Sequence, residues 1–419
     1  MFGSLATVFG AFLGLLFSGM WVATLAALVG MGLLYNDTGW SNMLQSSGWL
    51  AWGGSTSFTL VTVPLFVLMG LLLMESGLGK VVYRAAAPLL NHFPGGLLYT
   101  NIIAGALFAA CSGSPTASAA TIGSVALPEM ERRGYPFGMS VGSVGAGSIL
   151  ASIIPPSTML IFYASIVEIS IGKAFIAGII PGMILTAMFI LYITVRFRFY
   201  RGWKKIRGEL LPWKTSLAKT RESWLIVVLI VMVLGSIFLG IATPTEAAAV
   251  GSSGAMLLTL LYRRLNWQVL RQATFGTMRI TCQIMFIYVG IKIFSAALAR
   301  VGIISYTTKV LLDLPVPPLA ILLIVFGAFL ILGFLIEGLP MMLMVVPVVF
   351  PAIVALGYDP LWFGIAVLLL CFVGNFTPPV GLTLFVLQSI LPKRSLTEIY
   401  KGLIPFTIIV LFFLAIITV

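Results

Sequence analysis

The chain has 419 residues, of which 60% are apolar and only 9% charged, with a mean hydropathy of +1.12. A water-soluble globule cannot cover itself with so few polar side chains, so the sequence demands lipid as its solvent. The net charge of +12 would otherwise suggest a nucleic-acid partner, but nine of the 24 Lys and Arg fall in one loop, Arg196 to Arg221, the pattern of a cytoplasmic membrane-surface loop.

In chain order, the first apolar run, MFGSLATVFGAFLGLLFSGMWV, has no positive n-region and no cleavage site ahead of a soluble domain. It reads as a first span, not as a removed signal peptide. The stretch from about Leu98 to Pro128 is too long for one span and is interrupted by Ser112-Gly113-Ser114-Pro115-Thr116. Each arm is about 14 residues, or roughly 21 Å of helix, too short to cross comfortably, so a re-entrant helical hairpin is expected. The next segment is broken at Ser152-Ile153-Ile154-Pro155-Pro156-Ser157. Two consecutive prolines remove two backbone donors and clash with the preceding turn, which forces the helix to unwind.

After the basic loop, an in-and-out helix pair (Trp224 to Gly240, Ala247 to Tyr262) leads to a second basic stretch, Arg263 to Arg279, expected on the same side. Lys292 and Arg300 then stand in an otherwise apolar segment, where a charge is expensive and functional or paired use is the default expectation. Arg300 is the candidate for such use, directly or by orienting Glu337. Glu75, Lys80, Arg84, Glu168 and Lys173 lie near segment ends and read as interfacial. A second long stretch, Leu319 to Pro351, is broken around Gly333 and Glu337-Gly338-Leu339-Pro340, and the following segment at Gly374-Asn375-Phe376-Thr377-Pro378-Pro379-Val380-Gly381. The uncharged end, LFFLAIITV, suits a periplasmic terminus. In all, the apolar runs leave room for about ten to fourteen crossings or half-crossings of a roughly 30 Å hydrocarbon layer.

The two broken stretches are related. Pro128 and Pro351 stand 223 residues apart, and the same shift pairs Gly134 with Gly357, Tyr135 with Tyr358, Pro155-Pro156 with Pro378-Pro379 and Phe162 with Phe385. A cytoplasmic loop after the first copy and a periplasmic end after the second would make the copies oppositely oriented, the inverted-topology repeat of secondary carriers. The expected division is residues 1–196 as the first inverted repeat, 197–222 as the basic cytoplasmic loop and 223–419 as the second, within one membrane domain. Unwound carbonyls at membrane depth need partners. Together with Ser and Thr hydroxyls they are the oxygen ligands a hard cation such as Na⁺ prefers, while helix ends offer partial charges to anions.

The three cysteines, Cys111, Cys282 and Cys371, sit singly without metal-ligand spacing and read as packing. An intramembrane serine enzyme would need a positioned base near Ser112 or Ser114, and His92, the chain's single histidine, stands at a loop beside Pro94-Gly95-Gly96. No enzymatic activity and no organic cofactor are therefore expected. A gated channel has less need of an inverted repeat.

At VPLFVLMG (Val63 to Gly70), CSGSPTASAATIG, LPEMERRGYP, IIPPST, PVVFPAIVALGYDPLWFG and GNFTPPVGLTLF the sequence closely resembles the large membrane subunit of the tripartite ATP-independent periplasmic (TRAP) transporters, over nearly the whole chain. The resemblance implies an all-α polytopic membrane protein: an inverted-repeat, elevator-type transporter with two re-entrant helical hairpins and two discontinuous helices. It further implies Na⁺-coupled import of a small organic anion across the bacterial inner membrane, with a periplasmic substrate-binding protein and a small four-helix membrane subunit as partners. By this resemblance one Na⁺ would lie among Ser112, Gly113, Ser114, Ser152 and Pro155, and a second among Gly333, Gly374, Thr377 and Val380. The anion would sit between them, against Thr116, Pro156, Pro378, Arg300 and Glu337. Many family members carry Asp in the second hairpin, so Glu337 reshapes the pocket by one methylene. The alternative within carriers is a Na⁺/dicarboxylate symporter or antiporter of the same architecture that works without a binding protein.

Overall fold

Among the described residues all regular structure is helical. The computed structural model describes residues 19–93, 95–199, 212–221, 223–379 and 381–418, with Gly10, Phe12 and Gly14, and omits the side chains of residues 109–112. Most of the expected first span, the middle of the basic loop, Val380 and the side chains of Cys111 and Ser112 therefore lie outside the description.

The helices run α1 (Val22–Ser55), α2 (Thr62–Glu75), α3 (Leu78–Leu90), α4 (Gly96–Ser112), α5 (Pro115–Arg132), α6 (Phe137–Ile153), α7 (Thr158–Ile166), α8 (Ile171–Arg198) and α9 (Trp213–Thr220). They continue as α10 (Trp224–Phe238), α11 (Pro244–Leu261), α12 (Trp267–Arg300), α13 (Ile303–Leu312), α14 (Pro318–Gly333), α15 (Gly338–Ala355), α16 (Pro360–Phe376), α17 (Leu382–Ile390) and α18 (Leu396–Thr418). Both expected hairpin stretches are broken helix pairs, α4 with α5 and α14 with α15, and the members of each pair pack on one another. Both Pro-Pro motifs fall in breaks, between α6 and α7 and between α16 and α17, and each Pro-Pro bond is cis.

The shift of 223 residues extends from sequence to helix bounds: it carries Pro115–Arg132 onto Gly338–Ala355, and Phe137–Ile153 onto Pro360–Phe376. The shared Gly-Tyr signature has a local cause. At the end of α5, Gly134 N–H donates to Glu131 C=O (3.0 Å) and Tyr135 N–H to Met130 C=O (3.0 Å); at the end of α15, Gly357 and Tyr358 donate in the same way to Val354 and Ile353. This is the Schellman closure, and it requires the left-handed backbone that Gly134 (φ 72°) and Gly357 (φ 85°) adopt without a Cβ penalty. Pro136 as the N-cap of α6 and Pro360 as the first residue of α16 then lead into the next helices, where a missing N–H costs nothing.

Helices α6 and α16 form the centre: Ser140 to Ile153 and Phe363 to Phe376 are buried at every position. Flanking helices carry apolar side chains outward, as with Ile180 (68% exposed) and Met183 (66%) on α8, the expected surface toward lipid. Lipid tails are as apolar as Leu, so close packing and polar contacts must hold the helices together. A Cβ placed on Gly105 of α4 would come within 2.8 Å of the Gly147 backbone in α6, so these helices meet backbone to backbone. Asn101 Nδ2 donates to Ser143 Oγ (2.7 Å) across the same seam, a contact worth about 0.6 kcal/mol and at most ~1.7 in lipid.

Six helices or continuous pairs among the described residues are long and apolar enough to cross a membrane, or up to seven if bent pairs count. The expected total of about ten to fourteen also counts half-crossings. Glycine and proline breaks cut the remaining apolar sequence into shorter pieces, including α13, α14 and α16. The long α1 is interrupted by non-helical backbone at Gly39.

Candidate functional site

The first break turns at Gly113, whose φ of 57° suits glycine. Ser114 follows in extended conformation as the N-cap of α5: its Oγ accepts from Ala117 N–H (3.4 Å) and shares a hydrogen bond with Thr116 Oγ1 (3.1 Å). Glu337 holds the corresponding position, N-cap of α15, but its side chain makes no capping bond. Its carboxylate meets no cation among the described residues and points instead into a cavity.

That cavity, about 370 Å³, lies between the two breaks. Its floor comes from the tips themselves, Gly113 to Ala117 on one side and Glu337, Leu339 and Pro340 on the other. Thr158 at the start of α7, with Asn375 and Leu382 around the second Pro-Pro break, adds to it. The walls are apolar faces of α2 (Val67, Gly70, Leu71, Met74) and α12 (Ile280, Ile284, Ile287), with Gln283 as the polar exception. Helices α5, α7, α15 and α17 all begin at this cavity, so four N-terminal ends converge on it. Each carries roughly half a positive charge in its unpaired N–H groups. Among the described lining residues there is no Lys, Arg or His, and Glu337 is the one carboxylate.

Beside the first tip, Thr158 Oγ1 donates to Gly113 C=O (3.0 Å), and a Cβ on Gly113 would lie 3.1 Å from the Pro156 carbonyl oxygen. Ser157 Oγ donates to Ser152 C=O (2.6 Å), while the Ser152 hydroxyl is buried without a hydrogen-bond partner. An orphaned buried hydroxyl beside unwound carbonyls is the donor set of a hard cation. Beside the second tip, Gly333 meets Gly374: a Cβ on Gly374 would stand 2.9 Å from the Gly333 carbonyl oxygen. Thr377 N–H donates to Gly374 C=O (3.2 Å) and its hydroxyl to Val373 C=O (2.6 Å). No group of three His, Cys, Asp or Glu gathers anywhere among the described residues.

Of the residues expected to face the anion, Thr116 and Glu337 line the cavity with Gly113 and Ser114, whereas Pro156 and Pro378 are not among its lining residues. Arg300 is not among the lining residues. It ends α12 with its Nε 2.8 Å from Asp37 Oδ2 of α1, and both side chains are substantially exposed (55% and 42%). In this structure its charge is met by a carboxylate and by exposure at the surface. Gln283 and Asn375 were given no binding role from sequence; Asn375 is the lone amide of the apolar α16, a signal that could have found it.

The family model described as "Tripartite ATP-independent periplasmic transporter, DctM component" matches residues 9–419. The sialic acid TRAP transporter large permease protein SiaM of Vibrio cholerae is 32% identical over 420 residues, covering 99% of this chain and 95% of its own length. The C4-dicarboxylate TRAP transporter large permease protein DctM of Pseudomonas aeruginosa is 33% identical over 367 residues, covering 87% and 84%. The crystal structure of the YdaH transporter of Alcanivorax borkumensis matches with a TM-score of 0.62 over 95% of this chain and 96% of that one, at 15% identity, a likeness of fold alone. The chain thus belongs to the DctM component family of the tripartite ATP-independent periplasmic transporters, as a multi-pass membrane permease and not an enzyme.

Proposed function

We propose that the chain is the large subunit of a Na⁺-coupled TRAP importer that carries a small organic anion, a carboxylate or sulfonate, across the inner membrane. A periplasmic binding protein delivers the anion and a small four-helix membrane subunit completes the complex. The observation that carries this reading is the convergence of four helix N-termini on one cavity of about 370 Å³. Partial charges there bind an anion without a fixed cation, so the cargo is held firmly enough to select and weakly enough to release. The volume suits a small acid, and the relatives named above handle sialic acid and C4-dicarboxylates.

Glu337 sets the electrostatics. A carboxylate facing an anionic cargo repels it unless a cation is bound as well, so the negative charge favours loading Na⁺ together with the anion. Ser152 and the carbonyls of Gly113 and Pro156 would hold one Na⁺; the Gly333–Gly374 contact and Thr377 would hold the other. The recurrence of helix bounds at 223 residues supports two inverted repeats, 1–196 and 223–419, with the basic loop between them in the cytoplasm and the C-terminus periplasmic. Transport is then an elevator-like movement of the two broken pairs, acting as re-entrant hairpins, against α1, α2 and α12.

Uptake into proteoliposomes tests the assignment. With the loaded binding protein and the small subunit present, an inward Na⁺ gradient drives accumulation. Equal uptake driven by K⁺ would reject the coupling ion, and full uptake without the binding protein would favour a carrier that works alone.

A further inference from the structure

One polar feature is left over by this reading. Lys292 lies eight residues before the end of α12, about 12 Å of helix inside it. It lines a second, smaller cavity of about 110 Å³ with Tyr288, Ile291 and Ser295 of α12, Leu343 and Pro347 of α15, and Ile166 of α7. Its Nζ meets no carboxylate among the described residues. It leans back over the Tyr288 ring, 5.6 Å from the centroid, away from the nearer end of the helix. The Ser295 hydroxyl is buried without a hydrogen-bond partner, and the Tyr288 hydroxyl reaches Ser165 Oγ (3.2 Å). The pocket is thus a largely apolar one that holds a lysine and an unpartnered hydroxyl, with no carboxylate among its lining residues.

The two cavities share two helices in the same order. Ile280, Gln283, Ile284 and Ile287 of α12 face Glu337, Leu339 and Pro340 in the large cavity; one to two turns on, Tyr288, Ile291, Lys292 and Ser295 face Leu343 and Pro347 in the small one. Helices α12 and α15 therefore run side by side in the same direction, as packed neighbours. If α15 slides along α12 toward its C-terminal end, each residue of α15 meets the next polar level of α12. Gln283 and Lys292 are nine residues apart, about 13 Å along the helix.

We propose that Lys292 is the second docking point of the hairpin-tip cavity: after displacement along α12, the Glu337 carboxylate leaves the level of Gln283 and pairs with the Lys292 ammonium. This rests on the elevator reading above and adds to it the residue that stabilises the other state. Half-buried Lys292 waits without a carboxylate and half-buried Glu337 without a cation; pairing offsets part of the cost of each. The pair thereby lowers the displaced state relative to the observed one, and Lys292 acts as a positioning residue in the transport cycle.

Disulfide cross-linking in membranes containing Na⁺ and the small subunit tests this without a known cargo. In a chain with Cys111, Cys282 and Cys371 changed to Ser, the pair Ile284→Cys with Leu339→Cys reports the observed state. Ile291→Cys with Leu339→Cys reports the displaced one. The displaced pair is expected to cross-link, to lose about ten-fold in yield when Lys292→Ala is added, and to recover with Lys292→Arg, a ten-fold change being about 1.4 kcal/mol. The observed-state pair should keep its yield in all three backgrounds, which also shows that the variants fold. Equal displaced-state yield with Lys292→Ala overturns the role of Lys292 while leaving the displacement intact. A displaced pair that never cross-links, beside an observed-state pair that does, removes the displacement itself and this proposal with it.

Discussion

Ser114 and Glu337 hold the same place in two helices 223 residues apart: each is the N-cap of the helix that follows a break, and both line one cavity. The serine spends its side chain on capping, whereas the glutamate leaves its helix end open and offers its charge to the cavity. This difference makes two related tips chemically unequal.

Glu337→Gln keeps the shape and removes the charge. If the carboxylate balances a co-transported cation, uptake in proteoliposomes should fall at least ~10-fold, or about 1.4 kcal/mol in the limiting barrier, at normal membrane abundance. Wild-type uptake in this variant would return Glu337 to a packing role.

Ser152→Ala separates a cation ligand from an ordinary core serine. Its hydroxyl is buried and unpartnered, so removing it should leave thermal stability without Na⁺ unchanged or raised by up to ~1 kcal/mol. The stabilisation that Na⁺ adds should shrink at the same time. A variant whose Na⁺-induced shift in Tm equals that of the wild type has lost no ligand.

At Gly374 two effects oppose each other. Alanine in a helix interior gains about 0.5–1 kcal/mol over glycine. Here its Cβ would stand 2.9 Å from the Gly333 carbonyl oxygen, and overpacking of this kind costs about 1–3 kcal/mol. The clash wins, so Gly374→Ala should lower Tm and weaken Na⁺ activation. A raised Tm would mean that the two helices part easily at this point.

For Arg300→Ala the expectation is small. The pair with Asp37 is more than a third exposed on both sides, so its loss should cost no more than ~1 kcal/mol and leave uptake within about two-fold of wild type. Abolished uptake at normal abundance would restore Arg300 to the transport path.

Proline and glycine made the breaks legible: Pro155-Pro156 and Pro378-Pro379 cannot continue a helix, and the Gly-Tyr pairs at 134 and 357 close helices by a known hydrogen-bond pattern. Spacing located Thr116, Gly113 and Glu337 at the tips, and the cavity brings all three together. The partner of Arg300 was not legible, because sequence states the cost of a charge in an apolar run but not that Asp37, 263 positions away, meets it. Gln283 and Asn375 escaped notice for a related reason: which face of a helix borders a cavity depends on neighbours far along the chain.

Thiol labelling at the first tip tests the central claim, that the cavity between the breaks holds the anion, most directly. In the chain with its native cysteines changed to Ser, Thr116→Cys is modified by a small charged thiol reagent, with Asp37→Cys as the surface control. Na⁺ together with the acid carried by the partner binding protein should slow labelling at position 116 by about ten-fold and leave position 37 unaffected. Equal labelling rates at position 116 with and without Na⁺ and acid would contradict the account.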